Sequence, residues 1–361
     1  MSRTSEWVSL GHPDKMADYI SEYILDRYLE VDDKVRYALE VMIKNNKVFL
    51  GGEITSTHLF SKDELYNFVK EAIKEIGYDE KYNEKWKDYA FNINDFTLSA
   101  EISIQSTDIS MGVNNEGWGD QGIFVGYAEN NSETNYMPVD LYYARLLGTY
   151  LYNQAKENNL GGLDIKTQIT VNDEDKITDV IVAIPCLSDE EKNLIISNIN
   201  QFLNTSQFNT DNEFKLIVNG TGAYTYHSSI GDCGITGRKL AVDFYGGNSP
   251  IGGGSPWTKD PTKADLSLNL LARDVAVKYI LTNDNPNLHH IITKTSSCIG
   301  KNKCIFETKF YDKNGNVIDK REFESNILPS KLIHDMNLNK PIYATLCRKG
   351  LFSYGIWSHK S

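Results

Sequence analysis

One local pattern occurs three times along the chain and limits its fold more than any other feature. In each copy, two β-rich runs flank a polar four-residue turn; in the first copy these runs are 35–43 and 48–54, around Lys44-Asn45-Asn46-Lys47. In two copies an amphipathic helix follows, starting at Ser61-Lys62-Asp63-Glu64 and at Ser188-Asp189-Glu190-Glu191. Both starts have the Ser-x-x-Glu spacing of a capping box. We therefore predict repeated α+β units, each with a hairpin and a helix.

The other two copies extend the pattern along the whole chain. The second hairpin occupies 164–185. The third is looser: it occupies 291–311, and a short helix follows Pro329-Ser330. Because domains usually contain about 100–200 residues, three such units fit a chain of 361 residues. We predict an α+β fold of three structurally similar domains, with the boundaries 1–112, 113–230 and 231–361.

The composition is that of an ordinary globular protein and excludes several classes of function. Hydrophobic residues make up 40% of the chain and charged residues 24%, a mixture far too apolar for a disordered protein. The net charge of −12 argues against a nucleic-acid binder, since such proteins present a positive surface. No run approaches the roughly 18 apolar residues of a membrane span, and no apolar leader opens the sequence. We therefore predict a cytoplasmic protein without nucleic-acid or membrane partners.

Three short clusters contain side chains that can do chemistry. Gly11-His12-Pro13-Asp14-Lys15 places an imidazole, a carboxylate and an ammonium at the start of a helix, where backbone N–H groups can also bind an anion. Glu40 and Glu53 lie on the two arms of the first hairpin. Gly119-Asp120-Gln121-Gly122 places a carboxylate on a flexible corner before an apolar run. These clusters predict a polar site built from distant parts of the chain.

The longest cluster is the glycine-rich segment 231–265. Glycines let the backbone approach a ligand closely, and cationic side chains form charge-assisted hydrogen bonds to phosphate. The acids between them fit a divalent cation that bridges carboxylates and phosphates. Neither the Walker motif nor the dinucleotide fingerprint is present, so we predict a polyphosphate site of another kind. The cations are Arg238, Lys239, Lys259 and Lys263, and the acids are Asp232, Asp260 and Asp265.

Each cluster on its own also has a simpler interpretation. A single histidine at a helix start, such as His12, is more often a cap or a surface residue than a catalyst. Two glutamates on a hairpin are usually solvated, and Lys259 and Lys263 at i and i+4 are typical of an exposed helix face. The functional interpretation is favoured because all these features occur together, in a protein whose net charge is negative.

Taken in order, these clusters resemble the motifs of the S-adenosylmethionine synthetase (methionine adenosyltransferase) family. The segment 5–15 resembles the first motif of that family, and Gly51-Gly52-Glu53-Ile54-Thr55 resembles the second. Gly119-Asp120-Gln121-Gly122 and Met137-Pro138 match the start of the middle domain, and 231–265 matches the longest signature. The resemblance covers essentially the whole chain.

The resemblance implies both a fold and a reaction. The fold would be three α+β domains with approximate threefold symmetry, in a homodimer with active sites at the interface that can pair again into a tetramer. The reaction would transfer adenosyl from ATP to the sulfur of L-methionine, and the released tripolyphosphate would be split into diphosphate and phosphate. Two Mg²⁺ and one K⁺ would assist.

The resemblance also implies roles for individual residues. His12 would hydrogen-bond the departing triphosphate, and Glu40 would bind K⁺. The Mg²⁺ ligands would be Asp14 and Asp265. The cations at the phosphates and in the active site would be Lys15, Lys166, Arg238, Lys239, Lys259 and Lys263. Residues at the adenosine and methionine contacts would be Asp164, Asp232 and Tyr224, with Tyr224 as the aromatic partner of adenine. Methionine would be held by Glu53, Gln105 and Asp120, with Lys263 beside them and Ile299 lining the pocket.

The chain departs from the family pattern at several positions. Leu10 stands where the family usually has Glu, Ala223 replaces an Arg, and His227-Ser228-Ser229 replaces Gly-Gly-Pro. Pro250-Ile251 replaces Arg-His, and the segment 105–120, which holds a mobile gating loop in the family, is shortened. Two alternatives therefore accompany the predicted activity. One is a catalytically altered homologue that binds nucleotide as a regulatory partner, and the other is an enzyme that adenosylates a different thioether or hydrolyses polyphosphate.

Overall fold

The computed structural model describes residues 2–104 and 116–352. Within these ranges the chain forms three four-stranded sheets packed with helices. The strands are β1 (Arg3–Val8), β2 (Arg36–Lys44), β3 (Lys47–Thr55), β4 (Thr97–Ser103), β5 (Gly122–Glu129), β6 (Lys166–Val171), β7 (Ile177–Ala183), β8 (Thr210–Val218), β9 (Gly234–Ile235), β10 (His290–Ser297), β11 (Lys303–Tyr311) and β12 (Val317–Asn326).

Ten α-helices of the described ranges cover the inner faces of the sheets or connect their strands. They are α1 (Pro13–Val31), α2 (Lys62–Ile76), α3 (Glu80–Trp86), α4 (Val139–Asn158), α5 (Asp189–Leu203), α6 (Ser228–Gly231), α7 (Leu240–Asp243), α8 (Ala264–Leu281), α9 (Pro329–Asp335) and α10 (Tyr343–Lys349). Among the residues that the structure describes, no helix is both long enough and apolar enough to span a membrane.

Each sheet is built around one of the three predicted hairpins. The sheet orders are β9-β2-β3-β4, β1-β6-β7-β8 and β5-β10-β11-β12, with β2-β3, β6-β7 and β10-β11 as the antiparallel central pairs. In the first hairpin Lys44 pairs with Lys47, and Asn45 in the turn has a φ of 51°, a left-handed conformation that asparagine tolerates. The predicted hairpins are therefore confirmed.

The fourth strand distinguishes the third sheet from the other two. In the first two sheets, β4 and β8 lie parallel to their neighbours β3 and β7. A parallel pair needs a crossover connection, and helices α2, α3 and α5 lie in these two connections. In the third sheet, residues 312–316 join β11 directly to β12, which runs antiparallel. The sequence analysis missed β12, and the short helix it predicted begins only afterwards, at Pro329.

The remaining strand of each sheet comes from a distant part of the chain. Strand β1 pairs with β6, β5 pairs with β10, and β9 pairs with β2, all antiparallel. Each sheet thus combines a local hairpin with a strand more than 100 residues away in sequence. The three units are interleaved, and this places the segments that precede β5 and β9 next to other units.

Both predicted helix starts form, and the first of them is a complete capping box. Ser61 accepts the N–H of Glu64, whose carboxylate accepts the N–H of Ser61, and Gly77 ends this helix with a φ of 119°. Ser188 accepts the N–H of Glu191 at 3.2 Å at the start of α5. These contacts satisfy backbone groups that a helix end leaves unpaired. The predicted starts of both helices are confirmed.

Candidate active site

His12 caps the first helix and is held in one protonation state. Its Nδ1 accepts the backbone N–H of Asp14 at 3.2 Å. Burial, and the positive charge of nearby Lys239, lower the pKa of His12 to about 3, so its imidazole is neutral at pH 7. Because Nδ1 is an acceptor, the ring proton lies on Nε2. The imidazole can therefore donate a hydrogen bond from Nε2 to an oxygen of a substrate.

Asp14 connects this helix start to the glycine-rich segment. Its buried carboxylate accepts the backbone N–H of Ile235 at 3.0 Å and pairs with the ammonium of Lys239. The Nε of Arg238 lies 3.7 Å from Asp14 Oδ1. Gly234 permits this approach, because a Cβ atom there would lie 2.1 Å from the carbonyl oxygen of Pro13. The structure thus brings together one carboxylate and two cations that the sequence analysis assigned to the site.

Four acids at every fourth position of α1 anchor the C-terminal third of the chain, and the sequence analysis overlooked three of them. These residues face one side of the helix and are Asp14, Asp18, Glu22 and Asp26. Each accepts a backbone N–H at 2.6–3.0 Å; in the same order, the donors are Ile235, Gly237, Thr258 and Tyr343. The spacing of four residues was the signal that could have found them.

Lys15 occupies a buried position next to this row of acids. Its Nζ lies 2.7 Å from an oxygen of Asp243 and 3.0 Å from one of Asp18, and it sits over the ring of Trp257. Only 4% of the side chain is exposed. Lys15 therefore contributes to the arrangement of the segment through Asp18, which holds the N–H of Gly237.

Glu40 links the first hairpin to two parts of the glycine-rich segment. It projects from the exposed face of β2 and accepts hydrogen bonds from the hydroxyls of Thr236 and Thr258, the latter at 3.1 Å. Thr236 directly follows Ile235, and Thr258 directly precedes Lys259. These two threonines were not identified from the sequence, although both lie inside the motif. Their hydroxyl oxygens lie beside the carboxylate of Glu40.

A second group of charges surrounds the start of α8. The Nζ of Lys259 lies 2.5 Å from Asp265 Oδ2, and both side chains are 22% exposed. Lys263 is the N-cap residue of this helix, and its Nζ lies 4.0 Å from the buried Asp260. Gly254 contacts the same carboxylate as Lys259, because a Cβ there would lie 2.0 Å from Asp265 Oδ1. Lys259 and Lys263 are thus clustered with carboxylates, as a phosphate site with bridging cations requires.

A third group of polar side chains surrounds Asp164, which lies just before the start of β6. Its Oδ2 accepts the N–H of Ser228 at 2.9 Å, and the hydroxyl of Tyr224 donates to its carbonyl oxygen at 3.2 Å. Burial raises the pKa of Asp164 to about 7, against the effect of these bonds and of Lys166. Asp232 also influences the pKa values of both Asp164 and His12, so these charges share one region. Lys166 is half-exposed, with its Nζ 3.8 Å from Glu6.

The residues predicted to hold methionine lie elsewhere in the chain. Glu53 lies on the exposed face of β3, opposite Ala38. Asp120 and Ile299 lie at one end of the third sheet, where Ser297 donates a hydrogen bond to the carbonyl of Asp120 at 3.1 Å and Ile299 is exposed. Gln105 lies outside the described residues. Within residues 2–104 and 116–352, no hydrogen bond or ion pair links Asp120 or Ile299 to His12.

Three family models match the chain and together cover almost all of it. They are the N-terminal, central and C-terminal domains of S-adenosylmethionine synthetase, which match residues 1–107, 115–224 and 227–359. The chain belongs to the S-adenosylmethionine synthetase family. The family resemblance, the three-domain α+β fold class and the enzyme class predicted from the sequence are confirmed.

Individual S-adenosylmethionine synthetases resemble the chain over nearly its whole length. Those of Pelagibacter ubique and Mycoplasma capricolum are 34% and 33% identical to it, over 97% of this chain and 92% of each relative. A solved structure described as an unusual S-adenosylmethionine synthetase, from Campylobacter jejuni, superimposes with a TM-score of 0.86 at 31% identity. It covers 99% of this chain and 96% of its own.

The charged groups at the site can hold a metal ion, and the S-adenosylmethionine synthetase family is generally metal-dependent. Asp14 and Asp265 each direct a carboxylate oxygen at a lysine ammonium, so both can accept a cation. No group of three or more His, Cys, Asp or Glu residues able to hold a metal occurs in the described part of the chain. Mg²⁺ usually takes one or two carboxylates and completes its shell with waters and substrate phosphates. The donor set therefore suits ions that arrive with a polyphosphate.

Proposed function

We propose that the protein synthesises S-adenosylmethionine from ATP and L-methionine. The observation that carries the proposal is the convergence of His12, Asp14, Arg238 and Lys239 at one helix start, in a chain of this family. In the proposed reaction, the methionine sulfur uses a lone pair to form a bond to the ribose 5′ carbon. The bond from that carbon to the bridging oxygen breaks, and its electron pair leaves with the triphosphate. The triphosphate is then hydrolysed to diphosphate and phosphate.

The chemistry explains why the site is rich in cations. A thioether sulfur is nucleophilic without losing a proton, so the transfer needs no general base. The barrier lies in the leaving group, whose oxygen gains negative charge as the bond breaks. Catalysis should therefore rest on aligning sulfur with carbon and on fixed positive groups at the phosphates. The same groups can assist triphosphate hydrolysis, so one site can perform both steps.

The proposed roles of the residues follow the groups described above. His12 donates from Nε2 to the leaving triphosphate, and the cations that bind and neutralise the phosphates are Lys166, Arg238, Lys239, Lys259 and Lys263. Asp164, Tyr224 and Asp232 hold adenosine, while Glu53, Gln105, Asp120 and Ile299 hold methionine. Asp14 and Asp265 would hold two Mg²⁺, and Glu40, with its two threonine partners, would hold K⁺. When bound, these ions would supply positive charge to the phosphate oxygens. The cytoplasmic location stays a prediction.

A homodimer with shared active sites is part of the proposal, and the exposed sheet faces support it. Met42 and Phe49 are direct cross-strand partners on the first sheet, and both are more than 40% exposed. Ile123 and Ile305 both lie opposite Ser296 on the third sheet and are more than half exposed. Adjacent exposed apolar side chains of this kind can mark a protein–protein interface. A second copy of the chain would cover these faces.

The predicted site residues lie on the same faces as these apolar side chains. Strand residues two apart project to one side, so Glu40 shares the exposed face of β2 with Met42, and Glu53 shares that of β3 with Phe49. On the second sheet, Lys166 projects to the same side as Gln168, which lies opposite the exposed Ile181. Pairing of the exposed faces would therefore place these residues at an interface. A tetramer would require a further contact between dimers.

Replacing Ile305 with lysine is expected to convert the dimer into monomers. The side chain is exposed in the single chain, so the charge should leave the fold intact but cannot be buried in an interface without a large cost. The molar mass in solution, measured by light scattering, should fall by half, and turnover should fall with it. Leu194→Lys changes an equally exposed apolar residue on helix α5, outside the exposed sheet faces, and should leave the mass unchanged. A wild-type monomer would contradict the proposed assembly.

The direct test of the proposed reaction is product identification. Purified protein with ATP, L-methionine, Mg²⁺ and K⁺ should yield a sulfonium product with the mass of S-adenosylmethionine, together with diphosphate and phosphate. Nucleotide binding without this product would favour a regulatory homologue instead. A sulfonium product formed from another thioether in preference to methionine would favour an enzyme with a different substrate.

Lys263→Ala should reduce turnover far more than it reduces stability. Its Nζ is 4.0 Å from the nearest carboxylate oxygen, that of Asp260, which is too far for a hydrogen bond, so little folding energy depends on this contact. Removing one positive group from the phosphates should lower the rate by about 10²-fold or more. Lys278→Ala removes an exposed lysine from the other end of the same helix and serves as the control. Equal rates for the two variants would contradict the proposed role of Lys263.

A further inference from the structure

The buried imidazole of His227 lies between helix α3 and the segment that carries Tyr224. It is 1% exposed and packs edge-on against the ring of Trp86, with the ring centroids 4.7 Å apart. Its Nδ1 lies 2.7 Å from the carbonyl oxygen of Thr225, and its Nε2 lies 2.6 Å from the hydroxyl of Tyr82. Both ring nitrogens therefore have partners.

These contacts allow only one arrangement of protons. A carbonyl oxygen can only accept, so Nδ1 carries the ring proton and donates it to Thr225. Nε2 must then accept, and Tyr82 must donate its hydroxyl proton to it. The oxygen of Tyr82 in turn accepts the backbone N–H of Leu163 at 3.0 Å. Burial lowers the pKa of His227 to about 4, which agrees with a neutral ring. The chain of bonds thus has a single direction, from Leu163 to Thr225.

This chain of hydrogen bonds connects two backbone segments, one that contains Asp164 and one that contacts its carboxylate. Leu163 directly precedes Asp164, and Ser228, which directly follows His227, donates its N–H to the carboxylate of Asp164 at 2.9 Å. The Oγ of Ser228 accepts the N–H of Phe91 at 2.9 Å, which fixes the same turn from a second direction. Gly162 leaves room for the imidazole, since a Cβ there would lie 3.1 Å from Nε2. The side chains of His227 and Tyr82 therefore join the two backbone segments, 163–164 and 225–228, that lie next to the Asp164 carboxylate.

We infer that His227 and Tyr82 are positioning residues for adenosine. By joining 163–164 to 225–228, the pair sets the placement of the Asp164 carboxylate and the Tyr224 ring toward the nucleoside of ATP. The inference rests on the proposed function, because it takes Asp164 and Tyr224 as adenosine contacts. Both side chains are buried, so we expect them to act through Asp164 and Tyr224 and not by contact with the substrate. Their removal should therefore weaken ATP recognition and leave methionine recognition intact.

The test compares variants that remove the two hydrogen bonds with one that restores them. His227→Phe keeps an aromatic ring but loses both bonds, and Tyr82→Phe loses the hydroxyl. His227→Gln keeps both roles, because an amide has an oxygen that accepts and an NH₂ that donates. Tyr152→Phe is the control, since it removes another buried tyrosine hydroxyl, which binds the carbonyl of Ile76 and takes no part in this chain of hydrogen bonds. For each variant, KM for ATP, KM for methionine, the equilibrium Kd for ATP and the Tm are measured.

We expect His227→Phe and Tyr82→Phe to raise KM and Kd for ATP by about tenfold, the lower end for residues that orient a binding group. KM for methionine should change by less than about twofold, and the double variant should be no worse than either single one, because both break one chain of bonds. His227→Gln should return the ATP constants to within about threefold of wild type. Tyr152→Phe should lower Tm without changing these constants.

Two outcomes would overturn this inference, and a third would separate it from the proposed function. If the His227→Phe variant binds ATP as tightly as wild type, whatever its Tm, the positioning role is overturned. If the constants for ATP and methionine rise equally, or glutamine gives no rescue, the pair has only a general structural role and the inference is likewise overturned. If the wild-type protein makes no S-adenosylmethionine but binds ATP tenfold more tightly than His227→Phe, the proposed function fails and the positioning role stands.

Discussion

Replacing Arg238 with glutamine is expected to lower turnover by about 10²–10³-fold, the typical cost of removing one positive group from a developing anion. The free energy of unfolding should change little. About half of the Arg238 side chain is exposed (48%), and its nearest carboxylate contact, to Asp14, spans 3.7 Å. Exposed ion pairs contribute little to the free energy of unfolding, so stability should change by less than about 0.5 kcal/mol. The effect would therefore be almost entirely on catalysis.

Replacing the neighbouring Lys239 with glutamine is expected to reduce both turnover and stability. Lys239 pairs with the Asp14 carboxylate, of which only 1% is exposed. Removing one partner of a buried pair costs about 3–5 kcal/mol, and we expect the lower end because the N–H of Ile235 still binds the same carboxylate. Two adjacent cations in one motif should thus differ by their burial alone.

The comparison requires a rate and a stability measurement on each variant. Initial rates of S-adenosylmethionine formation give turnover, and urea unfolding gives the free energy of unfolding. Lys320→Gln provides the control, since Lys320 is as exposed as Arg238 and pairs with the exposed Glu322 on the third sheet; both quantities should stay at the wild-type values. Wild-type turnover for Arg238→Gln, or wild-type stability for Lys239→Gln, would contradict the roles assigned to these side chains.

The hairpins and helix starts could be predicted from sequence because their signals are local. The turn at Asn45 and the capping box at Ser61 each depend on residues within a few positions of one another. Strand β12 was missed because its burial does not alternate cleanly: most of its residues are exposed. The strands that close each sheet were not predictable, because a pairing such as β9 with β2 joins segments nearly 200 residues apart. Nothing in two residues of strand indicates such a partner.

The sequence predicted which charged residues belong to the site, but not which partners their side chains contact or whether they are buried. The segment containing Asp14 was recognised by its motif, whereas its neighbour Lys15 has its ammonium between Asp18 and Asp243, the latter 228 residues away. Contacts with Asp243 and Trp257, both distant in sequence, bury Lys15, while Arg238 is about half exposed. The row of acids along α1 shows the reverse case. The spacing of four residues between the acids is visible in the sequence. The helix was predicted from its apolar residues, which lie on a different face, and the acids were not assigned a role.

Replacing Asp164 with asparagine is expected to stabilise the protein at pH 8 while it impairs the reaction. Burial raises the pKa of Asp164 to about 7 in the folded protein, whereas an unfolded aspartate has a pKa of about 3.9. Between these values the folded state binds the extra proton, so the stability of the wild type falls as pH rises from about 4 to 7, then levels off. Asparagine cannot ionise and can still accept the N–H of Ser228 through its side-chain oxygen.

The stability gained by Asp164→Asn should therefore be small at pH 5 and largest at pH 8, as measured by thermal unfolding at both values. Turnover should fall about 10- to 100-fold, since a carboxylate hydrogen bond to the nucleoside is replaced by a weaker neutral one.

Asp312→Asn is a control of opposite sign: the hydrogen bonds from Asn316 hold the pKa of Asp312 below its ordinary value, so this variant should be less stable than wild type at both pH values. An Asp164→Asn variant that is less stable than wild type at pH 8 would show that the carboxylate is stabilised by its surroundings as an ion. The low dielectric that makes Asp164 costly to the fold is also what would strengthen its hydrogen bond to adenosine.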